Sequence, residues 1–157
     1  MKKMFLSLPY IRNYLVRCAV IVETFETSTT WDNFEAFHEN VLNNTQAAIN
    51  EVCGKGIVMW RFTHVYPSGP TIYYSVAALG KRGKEIDQWD AIKKVASDTI
   101  IHFGGPITHH HAVGRDHRPW FEKTLPDLYD KTLRQLKTTY DPEWILNPDV
   151  LISRDKA

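Results

Sequence analysis

The sequence predicts an α+β fold, a ferredoxin-like sandwich in which helices cover an antiparallel sheet, with a C-terminal helical extension. Three observations predict it. β-Branched and aromatic residues concentrate in 17–26, 57–66 and 71–80, as in strands. Apolar residues recur at helical spacing over about 31–52, 85–105 and 125–142. From Arg17 on, the order strand, helix, strand, strand, helix, short strand is that of the split βαβ unit. The 157 residues suit one domain with a sizeable core. Its expected parts are a lead-in helix over 1–16, a ferredoxin-like core over 17–113, and a helix and tail over 114–157.

Each element has a local reason. Met4, Leu8, Ile11 and Leu15 share a helical stripe that Pro9 interrupts. "RCAVIVETFE" reads as the first strand. Thr30 is the expected N-cap of the long helix that follows, with Asp32 placing negative charge near its start. Gly54 and Gly56 end that helix. "PSGP" at 67–70 turns the two central strands into an antiparallel hairpin. The helix over 85–105 runs into a glycine pair, "PITHHHAV" (106–113) reads as a short extended strand, and 125–142 is a further amphipathic helix. Two Asp/Asn-Pro pairs in "DPEWILNPDVLI" stop it and leave an irregular tail.

The totals exclude several classes. A formal charge of +1 gives no overall pull toward nucleic acid or an anionic membrane. Cys18 and Cys53 make neither a disulfide framework nor a zinc motif, which fits a reducing compartment. The apolar start is too short for a signal core, and no run reaches the roughly 18 apolar residues of a membrane span. The expectation is a cytoplasmic protein, with a peripheral membrane position as the alternative.

Titratable chemistry gathers in "GGPITHHHAVGRDHRPW" (104–120). On an extended backbone His109 and His111 share one face and His110 takes the other. Three readings compete: a metal site using His109 and His111, satisfied core histidines, or an active-site cluster. No HExxH, CxxC or acidic cluster lies nearby, so no metal is expected. Adjacent imidazoles and arginines are costly unless they face a polar pocket, which favours the third reading and an anionic substrate. In "HVYPSGPTIYYSV" Tyr74 falls in register with Ile72 and Val76 and should face the core. Tyr73 falls in register with Thr71 and Ser75 and should face a polar space. A phenol acts as a base only when nearby cations pull its ordinary pKa of about 10 down.

"PYIRNYL", "VIVETFETSTTWDNF", "HVYPSGPTIYYSV", "GGPITHHHAVGRDHRPW" and "YDPEWILNPDVL" occur in one order. That order resembles the C-terminal part of alkyldihydroxyacetonephosphate synthases and their bacterial relatives, flavin-linked oxidases of the vanillyl-alcohol-oxidase type. The resemblance covers about residues 8–152. It implies a substrate cap with a ferredoxin-like core that closes over FAD held mainly by an upstream domain, supplied in cis or in trans. It implies exchange of acyl for alkyl on dihydroxyacetone phosphate in ether lipid synthesis, with FAD taking part without net redox. It assigns Tyr73 as the proton-abstracting group, His109, His110 and His111 as the catalytic histidine run, Arg12 as the grip on substrate phosphate, and Arg115 and Asn147 as cofactor contacts.

Two positions depart from the pattern. Ala112 stands where many synthases carry glycine, and Asp149 replaces the glycine of a terminal "NPG". Synthase and plain oxidase chemistry both fit the motifs. The alternative function is an inactive stand-alone ferredoxin-like module that binds a small anionic ligand, dimerising through its uncovered cap face. A flavin domain encoded upstream separates the two.

Overall fold

A computed structural model describes residues 2–154, with side chains from residue 6. The elements run α1 (Lys2–Arg17), β1 (Val20–Ser28), a single 3-10 turn (Trp31–Asn33), α2 (Phe34–Cys53), β2 (Gly56–Tyr66), β3 (Gly69–Leu79), α3 (Glu85–His102), α4 (Gly114–Thr124) and α5 (Asp127–Tyr140). Among the described residues the three strands form one antiparallel sheet in the order β1–β3–β2. That order, with α2 crossing from β1 to β2 and α3 following β3, is an α+β arrangement as the sequence predicts.

Strand alternation divides the sheet into two faces. Ile72, Tyr74, Val76 and Ala78 of β3 pack with Ile21 and Phe25 of β1 and Val58 of β2. Phe37, Val41 and Ile49 of α2, and Ile92, Ala96 and Ile100 of α3, close this core from the helix side. Each large aliphatic side chain there, almost fully buried, stabilises by roughly 1.5–3 kcal/mol. Two polar links cross the same interface. The Tyr74 hydroxyl pairs with His38 Nδ1 at 2.9 Å. Lys93 Nζ of α3 bonds Glu23 Oε1 of β1 at 2.8 Å, and Trp89 Nε1 donates to the other Glu23 oxygen.

Four expectations need correction. Residues 106–113 do not form a fourth strand; they make a bent loop. Strand geometry points successive N–H groups in opposite directions, whereas here the consecutive N–H groups of His109, His110 and His111 all donate to one oxygen, Glu26 Oε1. Such convergence requires a curled backbone. Thr30 does not cap with its side chain: α2 begins through the 3-10 turn, and the Thr30 hydroxyl instead accepts from Asn33 Nδ2 at 3.2 Å. A further helix, α4, occupies 114–124 despite Pro119 within it. α1 likewise continues through Pro9 to Arg17.

Candidate functional site

The second face of the sheet carries the candidate chemistry. Strand register puts Glu26 of β1, Tyr73 of β3 and Arg61 of β2 in one row across it. The next row holds Ser28, Thr71 and His64. His64 should fall on the opposite face from Arg61 by simple alternation. A register shift between Phe62 and His64, with Thr63 as the extra residue, returns it to the same face.

The histidine loop folds over these rows. The Tyr73 ring meets the His111 ring edge-on at 5.5 Å, and the Arg61 guanidinium carbon lies 5.0 Å from the Tyr73 ring centre. His110 stands at the middle of the run, 4.9 Å from the His111 ring, 5.7 Å from His109 and 5.2 Å from His64. His109 faces His64 at 5.3 Å and comes within 3.4 Å of the Tyr66 hydroxyl through Nε2. The alternation expected for an extended run therefore fails: His109 and His110 both turn toward His64, and His111 alone turns toward Tyr73.

Glu26 organises the loop. Its side chain is 1% exposed. Oε1 accepts the N–H groups of His109 at 2.9 Å, His111 at 2.6 Å and His110. Oε2 is approached by His110 Nδ1 and lies 3.9 Å from His109 Nδ1. Burial pushes this carboxyl up, but the three backbone N–H groups and the His111 charge outweigh it and hold it below its ordinary value. Thr108 braces the turn through a hydroxyl bond to His111 O at 2.7 Å, and Thr27 Oγ1 anchors its start on Pro106 O at 2.7 Å. At its far end buried His117 of α4 faces Ala112 O through Nδ1 at 3.1 Å. Burial and then the Lys93 charge push His117 down, which the contacts to Ala112 and Val113 only partly offset.

Sequence reasoning missed Glu26, Arg61 and His64. A carboxylate inside a strand is the signal that could have found Glu26, because such a charge needs a dedicated partner, and Glu23 of the same strand shows the same signal. His64 is invisible without the bulge.

The other predicted residues lie elsewhere. Arg12 of α1 lines a cavity of about 210 Å³ with Val16, Val22, Glu85, Ile86 and Trp89, and neither Tyr73 nor a histidine lines it. Val22 and Glu26 are four residues apart on β1, about 13 Å along the strand. Arg115 donates through Nη2 to Pro148 O at 3.3 Å and so holds the tail. Asn147 has a φ of 45° and lines a cavity of about 400 Å³ between α5 and the tail. A more polar cavity of about 460 Å³ opens beside His109, lined by Ser28, Thr30, Asn33, Tyr66 and Ser68.

For a metal, His64, His109 and His110 offer nitrogens within 4.8 Å of one another, as do Glu26, His110 and His111. Neither set pairs His109 with His111, the combination the sequence suggested. For a flat cofactor, the described residues offer a surface. Ile57 and Met59 of β2 are 51% and 50% exposed on the face that carries Tyr73. No helix among the described residues is long and apolar enough to cross a membrane.

Residues 1–151 match the family model described as FAD linked oxidases, C-terminal domain. The chain is 31% identical over 149 residues to an alkyldihydroxyacetonephosphate synthase of Dictyostelium discoideum, covering 93% of this chain and 24% of that protein. It is 33% identical over 141 residues to the synthase of the same name from Caenorhabditis elegans, covering 87% of this chain and 23% of that protein. A solved alkyldihydroxyacetonephosphate synthase structure superposes with a TM-score of 0.62 at 23% identity, covering 90% of this chain and 22% of that one. This last likeness concerns the fold. The chain thus spans about a quarter of the length of the curated relatives it matches.

Proposed function

The chain belongs to the family of FAD-linked oxidase C-terminal domains, and we propose that it is the substrate cap of an FAD-dependent enzyme of the alkyldihydroxyacetonephosphate synthase type. The activity so proposed is exchange of the acyl group of acyl-dihydroxyacetone phosphate for a fatty alcohol. The observation that carries the reading is the meeting of Tyr73, His111 and Arg61 on the sheet face opposite α2 and α3.

The residues fit FAD as a lid. The half-exposed Ile57 and Met59 border Tyr73's row and would rest on a flat ring held by a separate FAD-binding domain, in cis or in trans. When bound, FAD supplies the electron sink of the reaction. The remaining work falls to the chain's own side chains. Tyr73 Oη takes a proton from the substrate, with Arg61 supplying fixed positive charge beside the ring. The histidine loop holds the polar end of the substrate and keeps a proton acceptor beside Tyr73. Arg12, at the other end of β1, offers a forked pair of donors suited to a phosphate in its own cavity. Arg115 acts on the cofactor side through the tail it holds in place, and Asn147 does so as part of that tail.

The test uses the chain assembled with its FAD-binding domain, acyl-dihydroxyacetone phosphate and labelled fatty alcohol. Wild type should release fatty acid and form the ether product. Tyr73→Phe should keep flavin absorbance and lose product formation by about 10²–10⁴-fold, the usual contribution of a positioned acid or base. Undiminished turnover of Tyr73→Phe would remove the phenol from the chemistry. An assembly that binds a small phosphorylated ligand but never turns over would favour the inactive binding module.

A further inference from the structure

We propose that Glu26 is a positioning residue that fixes which nitrogen of His110 exchanges protons: Nδ1 stays on the Glu26 carboxylate, and Nε2 is left to work at the open face. The proposal rests on the reading of the histidine run as part of the catalytic cluster.

The argument begins with valence. An ionised carboxylate only accepts hydrogen bonds. Glu26 Oε1 is filled by three backbone N–H groups, with the Thr108 hydroxyl a fourth, longer neighbour at 3.4 Å. Oε2 has no hydrogen-bonded partner beyond the close but poorly angled approach of His110 Nδ1. A buried carboxylate oxygen left without a donor is costly. The nitrogen lying against it must therefore bring a proton, and the ring partner of a fixed Nδ1–H is a free Nε2.

The backbone contacts make the arrangement hard to escape. The same carboxylate that faces Nδ1 also bonds the N–H of His110 itself and of both its neighbours. Ring and backbone are gripped from one point, so the imidazole cannot flip without leaving the carboxylate. His110 is nonetheless 43% exposed on its side chain, so the ring is open to exchange at the atom the carboxylate does not hold. Its ring also touches all three other imidazoles of the cluster. A group so placed passes a proton in and out through one atom: Nε2 takes a proton and later returns it, while Nδ1–H never leaves Glu26. The arrangement is the buried carboxylate–imidazole pair that orients a catalytic base, built here from a strand and a loop.

The charged and titratable groups around Glu26 are His109, His110, His111, Tyr73 across the ladder, and Arg61 beyond it. None of them offers Oε2 a donor at closer range than His110.

The test reads the nitrogen directly. Long-range ¹H–¹⁵N spectra of the histidine-labelled chain should show His110 with Nδ1 as the persistently protonated nitrogen and Nε2 as the exchanging one. The opposite assignment in wild type overturns the proposal whatever any variant does. Glu26→Gln, checked for folding through the His38–Tyr74 signals, should lose the preference. A folded variant that keeps the wild-type tautomer also overturns it. Should Glu26→Gln fail to fold, Glu26→Asp keeps the charge and withdraws it by one methylene, and should weaken the preference partly. In the FAD-containing assembly the folded variant should lower kcat by about 10²-fold or more with little change in KM. A rise in KM with kcat unchanged would assign Glu26 to substrate binding instead. The spectra need no flavin and no turnover, so a failed tautomer and a failed catalytic reading are told apart.

Discussion

Two adjacent glycines lead into the histidine loop, and they should tolerate alanine for different reasons and to different degrees. Gly104 has a φ of +77° and open space where a Cβ would go. Alanine there meets no neighbour and faces only the left-handed backbone penalty, about 1–2 kcal/mol. The stiffer unfolded chain returns about 0.4–1 kcal/mol of that, so Gly104→Ala should cost about 1 kcal/mol. Gly105 has an ordinary backbone but no room. A Cβ would lie 2.5 and 2.6 Å from two ring carbons of Phe37 and 2.9 Å from Thr27 Oγ1. Phe37 is 1% exposed and locked in the core, so the ring cannot step aside. Overpacking of this kind costs about 1–3 kcal/mol, and the displaced Thr27 hydroxyl also loosens Pro106, so the upper half of that range is expected. Phe37→Leu alone should cost about 1–2 kcal/mol through the space it leaves. The double variant Phe37→Leu/Gly105→Ala should recover about 1–2 kcal/mol relative to additivity, because leucine makes the room that alanine needs. Phe37→Leu should do nothing for Gly104→Ala. Urea unfolding followed by tryptophan fluorescence measures all six proteins, wild type and both double variants included. If Gly105→Ala is as stable as wild type, or if its cost is unchanged in the Phe37→Leu background, close approach is not what holds this loop.

Three further outcomes follow from single contacts. Tyr74→Phe removes the buried hydroxyl that partners His38 Nδ1 and should cost about 1–3 kcal/mol in the same urea assay. Asp149 has a φ of 60° and an ion pair with Arg118 at 2.9 Å. Asp149→Gly should stay within about 1 kcal/mol of wild type, since relief at a positive φ offsets a half-exposed pair, whereas Asp149→Val should lower the urea midpoint clearly. Glu122 accepts from Ser153 N at 2.8 Å, Ser153 Oγ at 2.9 Å and Arg134 Nη2 at 2.8 Å. Burial pushes its carboxyl up, but those bonds and the Arg134 charge hold it below its ordinary value of 4.5. Its contribution is thus full above pH 4.5 and fades as the pH falls through the lower folded-state value. Glu122→Gln should be less stable than wild type at pH 7, and the two urea midpoints should converge in acid. A gap that does not narrow as the pH falls below 4.5 into strong acid would mean that the charge is not what ties the tail to α4.

The fold was legible in the sequence where one local pattern served one local purpose. Tyr74 in step with Ile72 and Val76 is core, and it is fully buried. Gly54, at a φ of 73°, ends α2 as expected. The readings that failed are those in which a distant group overrode local propensity. Residues 106–113 have strand-like spacing, yet Glu26, more than eighty positions away, draws three of their N–H groups to a single oxygen. No property of the histidine run itself reports that. Pro9 reads as an interruption, yet α1 continues through it to Arg17, and α4, which the sequence did not announce, packs on α3, where Trp120 Nε1 donates to Asp98 Oδ1 at 2.7 Å.

The same distinction explains why the candidate site could be named only in part. Tyr73 and the histidine run are conspicuous because their side chains are unusual for their setting. The groups that bring them together are ordinary ones in particular places: a glutamate within a strand, an arginine across the ladder, and a histidine returned to the correct face by one extra residue at Thr63. Without that bulge, alternation would turn His64 toward the helices, and His109 and His110 would lose the imidazole they both face. Without the carboxylate, residues 109–111 would be free to extend along the unpaired edge of β1, and alternation would send His110 away from His109 and His111. The cluster is therefore a property of strand register and of one buried charge. The histidines supply the chemistry, and the sheet decides that they meet.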